Sequence, residues 1–340
     1  MKTLLLNEWY NPVLQNMIYY FASFLGPNQF HWTGKRFYNR FFLPFHELEE
    51  ASHIDTPVAL TNLQNGFYDN VIYPDQSTYI YLSSQLVSKK TRRIMVDSSD
   101  SNLIPRWYLE NSELYFKSQL KKTDLITQNK SDLNPRNISD EERKKIFPFS
   151  LTPSFKILNY SLIERMNTRK NFDVFFNGSA WPQRRVSLVS QIKEHPEINF
   201  FGGLYNRNDL KFNNVIPDSL RFKQISYEDF MMSISSSKIG LNIEGNGKNC
   251  FRQFEILEAG EFLLTQKHEN FFGIKEPVDK KHCVFFKEDG SDLIELIKYY
   301  LEHEQEREEI AKSGKRFFED NCHPKVLTKY ILDTMENTNE

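Results

Sequence analysis

One stretch of the sequence, Lys238–Thr265, constrains the fold more than any other. It begins with an apolar segment, Lys238–Ile243, that predicts a buried strand, and it continues through a loop of two glycines and two asparagines. A helix is predicted over Phe251–Ala259 and ends at Gly260, and Phe262–Thr265 follows as another strand. Strand, loop, helix and strand in this order predict the right-handed crossover of a parallel sheet.

The residues around this stretch repeat the alternation. A turn at Asn177–Ser179 follows the predicted strand Phe172–Phe176, a helix is expected over Arg184–Glu194, and the strand Ile198–Phe201 ends at a pair of glycines. The pattern predicts an α/β layered fold. Further elements are predicted as a helix over Tyr227–Ser236, a strand over Cys283–Phe286, helical structure from Ser291 through Phe318, and a final helix over Pro324–Met335.

The N-terminal half indicates a second α/β unit. Lys2–Leu6 predicts a short strand, and Asn11-Pro12 begins a helix that runs to Leu25. A helix is predicted over Leu114–Lys121. Further strands are predicted at Val58–Thr61, Asn70–Tyr73, Ile94–Val96 and Leu125–Thr127.

The length of 340 residues favours two domains, because single cores seldom grow to this size. Residues 128–145 are polar, contain a capping box of Ser139 and Glu142, and are followed by prolines, so the boundary is expected at about 150–170. We therefore predict an N-terminal Rossmann-like domain over 1–155, a C-terminal Rossmann-like domain over 170–320, and a C-terminal helix within 321–340.

Charge and cysteine content argue against several classes of function. The formal net charge of −2 lacks the basic field typical of nucleic-acid binding, so no nucleic-acid partner is expected. The three cysteines, Cys250, Cys283 and Cys322, form no C-x-x-C pair, which argues against a zinc site and favours a reducing, cytoplasmic setting. Neither a signal peptide nor a membrane span is predicted, although peripheral membrane contact stays open.

The start of the helix at Phe251 has the chemistry of a phosphate site. Asn249 is a suitable N-cap, and the helix N-terminus presents free backbone N–H groups and the positive end of the helix dipole. Arg252 in the first turn can add a bidentate contact to a diphosphate. Glu255 shares its face and can accept both ribose hydroxyls of a nucleotide. The same residues also fit an ordinary connecting loop followed by a solvated ion pair, and the local pattern leaves both interpretations open.

The pattern Arg252-x-Phe254-Glu255-x-x-x-Ala259-Gly260, followed by an apolar strand, resembles the donor-site helix of GT-B glycosyltransferases. It is most similar to the CgeB-like branch of the family-four-like glycosyltransferases. The segments on either side agree, and the similarity covers about residues 170–330. They are Ile225–Phe230 before Ser237–Asn242, and Gly290–Leu301 before Glu304–Gly314.

The resemblance implies two Rossmann-like domains that face across a cleft, with the final helix returning to the first domain. The N-terminal domain would bind a glycan or another hydroxyl acceptor, and the C-terminal domain would bind a nucleotide-diphosphate sugar. The implied reaction is glycosyl transfer with diphosphate as the leaving group, in polysaccharide or glycoconjugate synthesis. Neither a metal nor a cofactor is expected.

The resemblance also assigns roles to residues. Glu255 would bind the donor ribose, and a basic residue after the first strand of the domain, Arg184 or Arg185, would meet the diphosphate. Other expected donor-binding residues lie in the loops and strand ends nearby: Gly178, Asn242, Asn246, Asn249 and Arg252. Many relatives carry a second glutamate eight residues before the one that matches Glu255. Gly247 occupies that position here, and Glu244 is out of register.

Candidates for the general base are less specific. Asp97 and Asp100 follow a predicted strand of the N-terminal domain and could take the proton of an acceptor hydroxyl, although a polar turn that caps a helix is the favoured explanation. Glu8, His46 and Glu47 are weaker candidates of the same kind. The basic run Lys89–Arg93 is interpreted as a solvated face, with contact to an anionic acceptor or lipid as the alternative.

Three other functions remain open from the sequence. A sugar-nucleotide epimerase could use the same scaffold, but it would need acid and base residues acting on the sugar. A non-catalytic scaffold protein would bind no nucleotide. Transfer of sugar to DNA would require strongly salt-dependent DNA binding.

Overall fold

The computed structural model describes residues 1–6, 12–26, 28–33, 52–74, 87–121, 126–129, 132–152, 169–206, 215–267 and 271–338. The chain divides into two compact units. The first contains Met1–Ser154, Asn270–Ile274 and His323–Glu340. The second contains Phe155–Glu269 and Lys275–Cys322.

The first unit is built on a parallel sheet. Its strands within the described residues are β1 (Thr3–Leu6), β2 (Phe30–Thr33), β3 (Asn70–Pro74), β4 (Arg92–Asp97), β5 (Ile104–Pro105), β6 (Leu114–Lys117), β7 (Leu120–Lys121), β8 (Ile126–Asn129), β9 (Asp132–Asn137) and β10 (Ile146–Pro148). The order in the main sheet is β10-β6-β4-β3-β1-β2, and neighbouring strands are parallel. Strand β1 is buried along its whole length, as expected for a parallel strand covered on both faces.

Helices flank this sheet. Within the described part of the first unit they are α1 (Pro12–Leu25), α2 (Thr56–Gln64), α3 (Arg106–Glu110) and α4 (Asp140–Arg143). The predicted capping box is present at the start of α4, where the Ser139 hydroxyl accepts from the Glu142 backbone N–H and the Glu142 carboxylate accepts from the Ser139 backbone N–H.

The second unit repeats the architecture with five strands among its described residues. Its sheet runs β12-β11-β13-β14-β16 and the pairs are parallel. The strands are β11 (Phe172–Ser179), β12 (Phe200–Tyr205), β13 (Ser237–Asn242), β14 (Leu263–Gln266) and β16 (Val284–Phe286), and the helices are α5 (Arg184–Lys193), α6 (Tyr227–Ser235), α7 (Phe251–Ala259), α8 (Leu293–Glu302) and α9 (Glu304–Asn321).

Two late segments belong to the first unit. Strand β15 (Phe271–Phe272) pairs antiparallel with β7, a connection that the sequence does not indicate. The last helix, α10 (Pro324–Asn337), packs against α1, and the Tyr330 ring meets the Phe116 ring edge to face. The Arg92 guanidinium donates to the Met335 carbonyl at 2.7 Å and to the Thr338 hydroxyl at 2.8 Å, so a cation holds the C-terminal end of this helix.

The stretch that dominates the sequence pattern folds as predicted. Helix α7 has the predicted bounds, and Gly260 ends it in the left-handed conformation at φ 75°. A β-carbon on Gly240 of strand β13 would lie 2.9 Å from the Ile256 side chain, so this glycine lets the helix approach the strand closely.

Several local predictions are wrong. The segment predicted as a helix over Leu114–Lys121 forms strands β6 and β7 instead, because the aromatic side chains of β6 are buried between β4 and β10. Val58–Thr61 lies in helix α2, whose buried residues Ala59 and Leu63 are four residues apart. Gly202 and Gly203 lie inside β12 rather than after it, at φ 108° and 151°.

Two further observations concern the whole described chain. None of its helices is both long and apolar enough to cross a membrane. No disulfide bond joins Cys250, Cys283 or Cys322 to one another.

Candidate functional site

Polar side chains gather at the edge of the second sheet where its parallel strands end. Strand β11 ends at Ser179, β13 at Asn242 and β14 at Gln266, and the loops that follow bring charged residues together. The carboxyl edge of such a sheet is where α/β proteins bind their ligands. The arrangement at this edge is therefore the candidate site.

Arg185 ties the strand ends together. Its Nε donates to the Glu244 carbonyl at 2.9 Å, Nη2 to the Ile243 carbonyl at 3.0 Å, and Nη1 to the carbonyl and hydroxyl of Ser179. Burial and, next in size, the positive charge of Arg252 together lower the pKa of Arg185 to about 10. Because its donors are committed to backbone and hydroxyl acceptors, Arg185 supports the loop.

Glu244 is a buried carboxylate held by two cations. Its side chain is 0% exposed, and its Oε2 lies 2.7 Å from the Arg184 Nη2 and 2.8 Å from the Lys248 Nζ. Lys248 also reaches Glu288 at 3.1 Å, and Arg184 donates to the Gly245 carbonyl at 3.1 Å. This ion cluster fixes the loop between β13 and α7.

The start of helix α7 differs from the prediction. The helix begins one residue after Cys250, which is the N-cap and makes no side-chain capping bond, so Asn249 is not the N-cap. The Cys250 thiol instead closes the loop, since it accepts from the Gly245 N–H at 3.3 Å and lies 3.4 Å from the Gly247 carbonyl. The Asn249 Oδ1 accepts from the Gln253 side chain at 3.4 Å.

Arg252 lies in the first turn of α7, as expected. Its guanidinium carbon is 4.4 Å from the centre of the Phe176 ring, and Nη2 donates to the Asn177 carbonyl at 2.7 Å. A β-carbon at position 178 would come within 3.0 Å of both the Arg252 Nη2 and the Phe176 ring, so Gly178 makes room for this packing. Burial lowers the pKa of Arg252.

Two buried donors at this edge lack acceptors. The Nε of Arg184 and the Nε of Arg252 have no solvent contact and no hydrogen-bond partner among the described residues. An unsatisfied buried N–H costs about 1–3 kcal/mol, more beside a charge, so such groups in a native fold call for an explanation. One explanation is an anionic ligand, because its oxygen atoms would accept hydrogen bonds from both guanidinium groups.

Glu255 lies one turn further along α7 and is 5% exposed. Tyr227, the first residue of α6, is close enough for the Glu255 charge to raise its pKa, although burial is the larger cause. Glu258 is the other acidic neighbour. This end of α6 and the middle of α7 therefore form an acidic corner next to the Arg252 turn.

The other predicted donor residues are divided between surface and interior. Asn246 is at the surface, and its Oδ1 accepts from the Trp181 indole N–H at 2.7 Å. Asn242 is 0% exposed and donates to the Thr265 hydroxyl at 2.9 Å. That burial leaves Asn242 without surface for a ligand, so it links β13 to β14.

Asp97 occupies the corresponding edge of the first sheet, but it is enclosed. It is 1% exposed, its Oδ1 lies 2.9 Å from the Lys117 Nζ, and its Oδ2 accepts from the Tyr115 hydroxyl. The Ser99 backbone and hydroxyl also donate to Oδ1, at 3.0 and 2.6 Å. Direct proton abstraction from an acceptor by Asp97 does not fit this burial, whereas Asp100 is exposed.

The remaining candidates from the sequence provide less evidence for a functional site. Glu8, His46 and Glu47 lie outside the described residues. The basic run Lys89–Arg93 is only partly a solvated face, because Arg92 holds the end of α10 and Arg93 forms an ion pair with Glu113 at 2.6 Å. Among the described residues no group of three or more His, Cys, Asp or Glu side chains could hold a metal ion.

Sequence reasoning missed Lys248 and Glu258 as members of the site region, and it set Glu244 aside. The signal for Glu244 was available, since it follows a buried strand and stands four residues before Lys248, a spacing that allows an ion pair. No local signal marked Glu258, because its burial depends on neighbouring helices.

A profile of the glycosyl transferase-like family matches residues 161–333, about half of the chain. Human protein O-glucosyltransferase 3 is 26% identical over 168 residues, which are 48% of this chain and 31% of that protein. The match therefore spans about a third of the length of this curated relative.

Solved structures share the fold over nearly the whole chain. HepE of Anabaena, solved with UDP and glucose, is 10% identical with a TM-score of 0.56 and covers 99% of both chains. A glycosyltransferase of Rickettsia africae is 9% identical with a TM-score of 0.62, covering 99% of this chain and 98% of its own. A putative UDP-N-acetylglucosamine 2-epimerase of Listeria monocytogenes is 10% identical with a TM-score of 0.51, covering 100% and 97%. These likenesses establish a GT-B fold.

Proposed function

This chain belongs to the glycosyl transferase-like family, and we propose that it transfers a sugar from a nucleotide-diphosphate sugar to the hydroxyl of a glycan or related acceptor. The second unit would bind the donor, and the first unit would bind the acceptor. The observation that carries the proposal is the pair of buried guanidinium N–H groups without acceptors, on Arg184 and Arg252, at the carboxyl edge of the second sheet.

A diphosphate satisfies both of these groups. Its oxygens are strong acceptors for guanidinium donors, and the first backbone N–H groups of helix α7 add a favourable dipole. The Arg252 side chain is already fixed by the Phe176 ring and the Asn177 carbonyl, so little side-chain entropy would be lost on binding. Glu255, one turn further on, would accept the ribose hydroxyls.

The proposed chemistry uses these residues electrostatically. The bond between the anomeric carbon and the diphosphate oxygen breaks, the acceptor oxygen bonds to that carbon, and negative charge develops on the leaving diphosphate. Arg184, Arg252 and the helix dipole would stabilise that charge, which is the type of contribution that usually dominates catalysis. Among the sequence candidates, exposed Asp100 is the one retained as a base for the acceptor proton.

The roles of the remaining predicted residues follow from their surroundings. Arg185 and Asn242 would support the loop and the sheet without touching the donor. Asn246 and Asn249 lie in the loop between β13 and α7, and this loop would place them next to the donor. No metal is required in this proposal, because the two arginines supply the positive charge.

A thermal-shift screen with uridine, guanosine, adenosine, thymidine and cytidine diphosphate sugars tests donor binding and identifies the base. HepE has been solved with UDP, so UDP sugars are the first to test. The Glu255→Ala variant should lose most of the shift while remaining folded. Arg221→Ala is the matched control, because Arg221 is exposed and pairs with Asp218 in the same unit. A full shift in Glu255→Ala would refute the ribose assignment.

Assays on the same purified protein distinguish the alternative functions. Incubation of the protein with the matched UDP sugar and no acceptor should leave the sugar unchanged, whereas an epimerase would convert it. A non-catalytic scaffold would show no shift with any nucleotide sugar. Retention on DNA that falls steeply with salt would favour a DNA acceptor.

A further inference from the structure

A buried carboxyl oxygen without a hydrogen-bond partner lies one turn after Glu255, on Glu258. The Oε2 atom of Glu258 has no solvent contact and no partner among the described residues. An ionised carboxylate oxygen in that position would carry charge without water or a donor to stabilise it, which is among the most expensive arrangements in a folded protein.

The groups that face Glu258 do not neutralise the negative charge that its ionised carboxylate would carry. Glu255 on the same helix is acidic, and the Tyr227 hydroxyl at the start of α6 has no solvent contact and carries no positive charge. Lys315 on α9 is the cation that acts on Glu258, but its effect is smaller than that of burial and of Glu255. The strands packed against α7 add no second cation to this group, since Lys238 of β13 is paired with Asp173 at 2.8 Å.

These surroundings favour the protonated acid. Burial is the main cause that raises the pKa of Glu258, the negative charge of Glu255 is the second, and together they bring it to about 8. Glu255 and Glu258 stand three positions apart on α7, so the two carboxyl groups share one face of the helix and each one's charge affects the titration of the other.

We propose that Glu255 and Glu258 form a proton-sharing pair that carries one negative charge at neutral pH, and that Glu258 is the positioning residue that sets the upper pH limit of donor binding. This rests on the proposed function, in which Glu255 holds the donor ribose. The shared proton leaves one carboxylate to accept ribose hydroxyls. Loss of that proton adds a second negative charge beside a site that must bind a diphosphate.

The first test uses the ligand-free protein, so it does not depend on the donor. Between the ordinary pKa of a glutamate and about 8, folded Glu258 keeps a proton that the unfolded chain releases. Stability contributed by this group is therefore full at low pH and is lost as the pH rises to about 8. The Glu258→Gln variant has no such proton, so its Tm should exceed that of the parent by about 3 °C or more near pH 8 and by little near pH 5.

The second test measures UDP binding by calorimetry at about pH 7 and about pH 9. The parent should weaken by about threefold or more over this interval, whereas Glu258→Gln should change by less than about twofold, because the amide cannot gain a charge. Glu295→Gln, an exposed change in the same unit, should follow the parent in both tests.

The outcomes distinguish the two proposals. Equal Tm differences between Glu258→Gln and the parent at both pH values would overturn the proton-sharing pair, regardless of the result of the UDP-binding experiment. A pH-dependent Tm difference together with the same pH dependence of UDP binding in both proteins would overturn the link to the donor. Failure of the parent to bind any nucleotide sugar would refute the proposed function and this link with it, while the ligand-free test would still decide the pair.

Discussion

The carboxyl edges of the two sheets hold charged clusters of opposite character. At the edge of the first sheet, Asp97 accepts from Tyr115, Lys117 and Ser99, and the three principal side chains are almost completely buried. At the edge of the second sheet, the guanidinium Nε–H groups of Arg184 and Arg252 are buried and lack hydrogen-bond partners among the described residues.

This difference shows that position in the fold is not sufficient to identify a binding site. Both clusters lie at the ends of parallel strands, where ligands usually bind. The first has satisfied its own hydrogen-bonding groups and is closed to solvent, so it contributes to stability. The second retains buried donors, so it is suited to an anion that comes from outside. Four experiments test this contrast.

The largest expected effect is on the first cluster. Lys117→Ala should lower the free energy of unfolding by about 3–5 kcal/mol, because it leaves the Asp97 carboxylate buried without its cation. Urea denaturation followed by circular dichroism measures the change. Lys144→Ala is the control, since the ion pair of Lys144 with Glu141 is exposed and should contribute less than about 1 kcal/mol. Similar losses in the two variants would mean that the buried pair has no special role.

At the second edge the main effect should be on binding. Arg252→Ala should weaken UDP binding by about 10- to 100-fold, corresponding to about 1.4–2.7 kcal/mol, because a charged donor to the diphosphate is lost. Arg252→Lys should recover only part of the affinity, since an ammonium group lacks the planar set of donors. Calorimetry measures both, with Arg221→Ala as the reference. Unchanged affinity in Arg252→Ala would place the diphosphate elsewhere.

A smaller effect is expected where a cation of the first unit has a purely structural contact. Arg92→Ala should destabilise helix α10 by about 1 kcal/mol, since the bonds to Met335 and Thr338 at its C-terminal end are lost. Hydrogen exchange of residues 324–337 should become faster, and UDP affinity should stay the same. Lys90→Ala, an exposed change two residues away, provides the comparison. A fall in UDP affinity would show that this arginine reaches the donor.

No effect is expected from metal removal. If the arginines at the second edge neutralise the leaving diphosphate, sugar transfer should continue at an unchanged rate after treatment with EDTA. The assay follows release of the nucleoside diphosphate, with and without added Mg²⁺ or Mn²⁺. Lost activity that returns with either ion would show that the protein's own cations are insufficient.

Much of the second unit could be predicted because its signals are local. The apolar strand before Glu244, the bounds of α7 and the glycine that ends it follow from residue order alone. The place of Arg252 in the first turn of α7 predicts a donor-binding role, and in the fold its Nε is a buried donor without an acceptor among the described residues.

The failures come from interactions between segments distant in the chain. The residues Leu114–Lys117 form a strand because two neighbouring strands enclose them, although their pattern also fits a helix. Arg184 and Arg185 are adjacent in the sequence and could not be told apart. In the fold, Arg185 is turned to the carbonyls of Ser179, Ile243 and Glu244, whereas Arg184 keeps an unsatisfied Nε.

The sequence by itself determined the alternation of strands and helices in the second unit and the place of Arg252 and Glu255 on one helix, because these depend on periodicity and on capping residues a few positions apart. Tertiary structure alone decided which charges are buried and which are paired within the protein. Asp97 became a closed structural group, Glu244 an anchored carboxylate, and Glu258 a buried acid beside Glu255. The reason is that burial and charge pairing depend on residues brought together by folding, and these two quantities set the chemistry of an ionisable group.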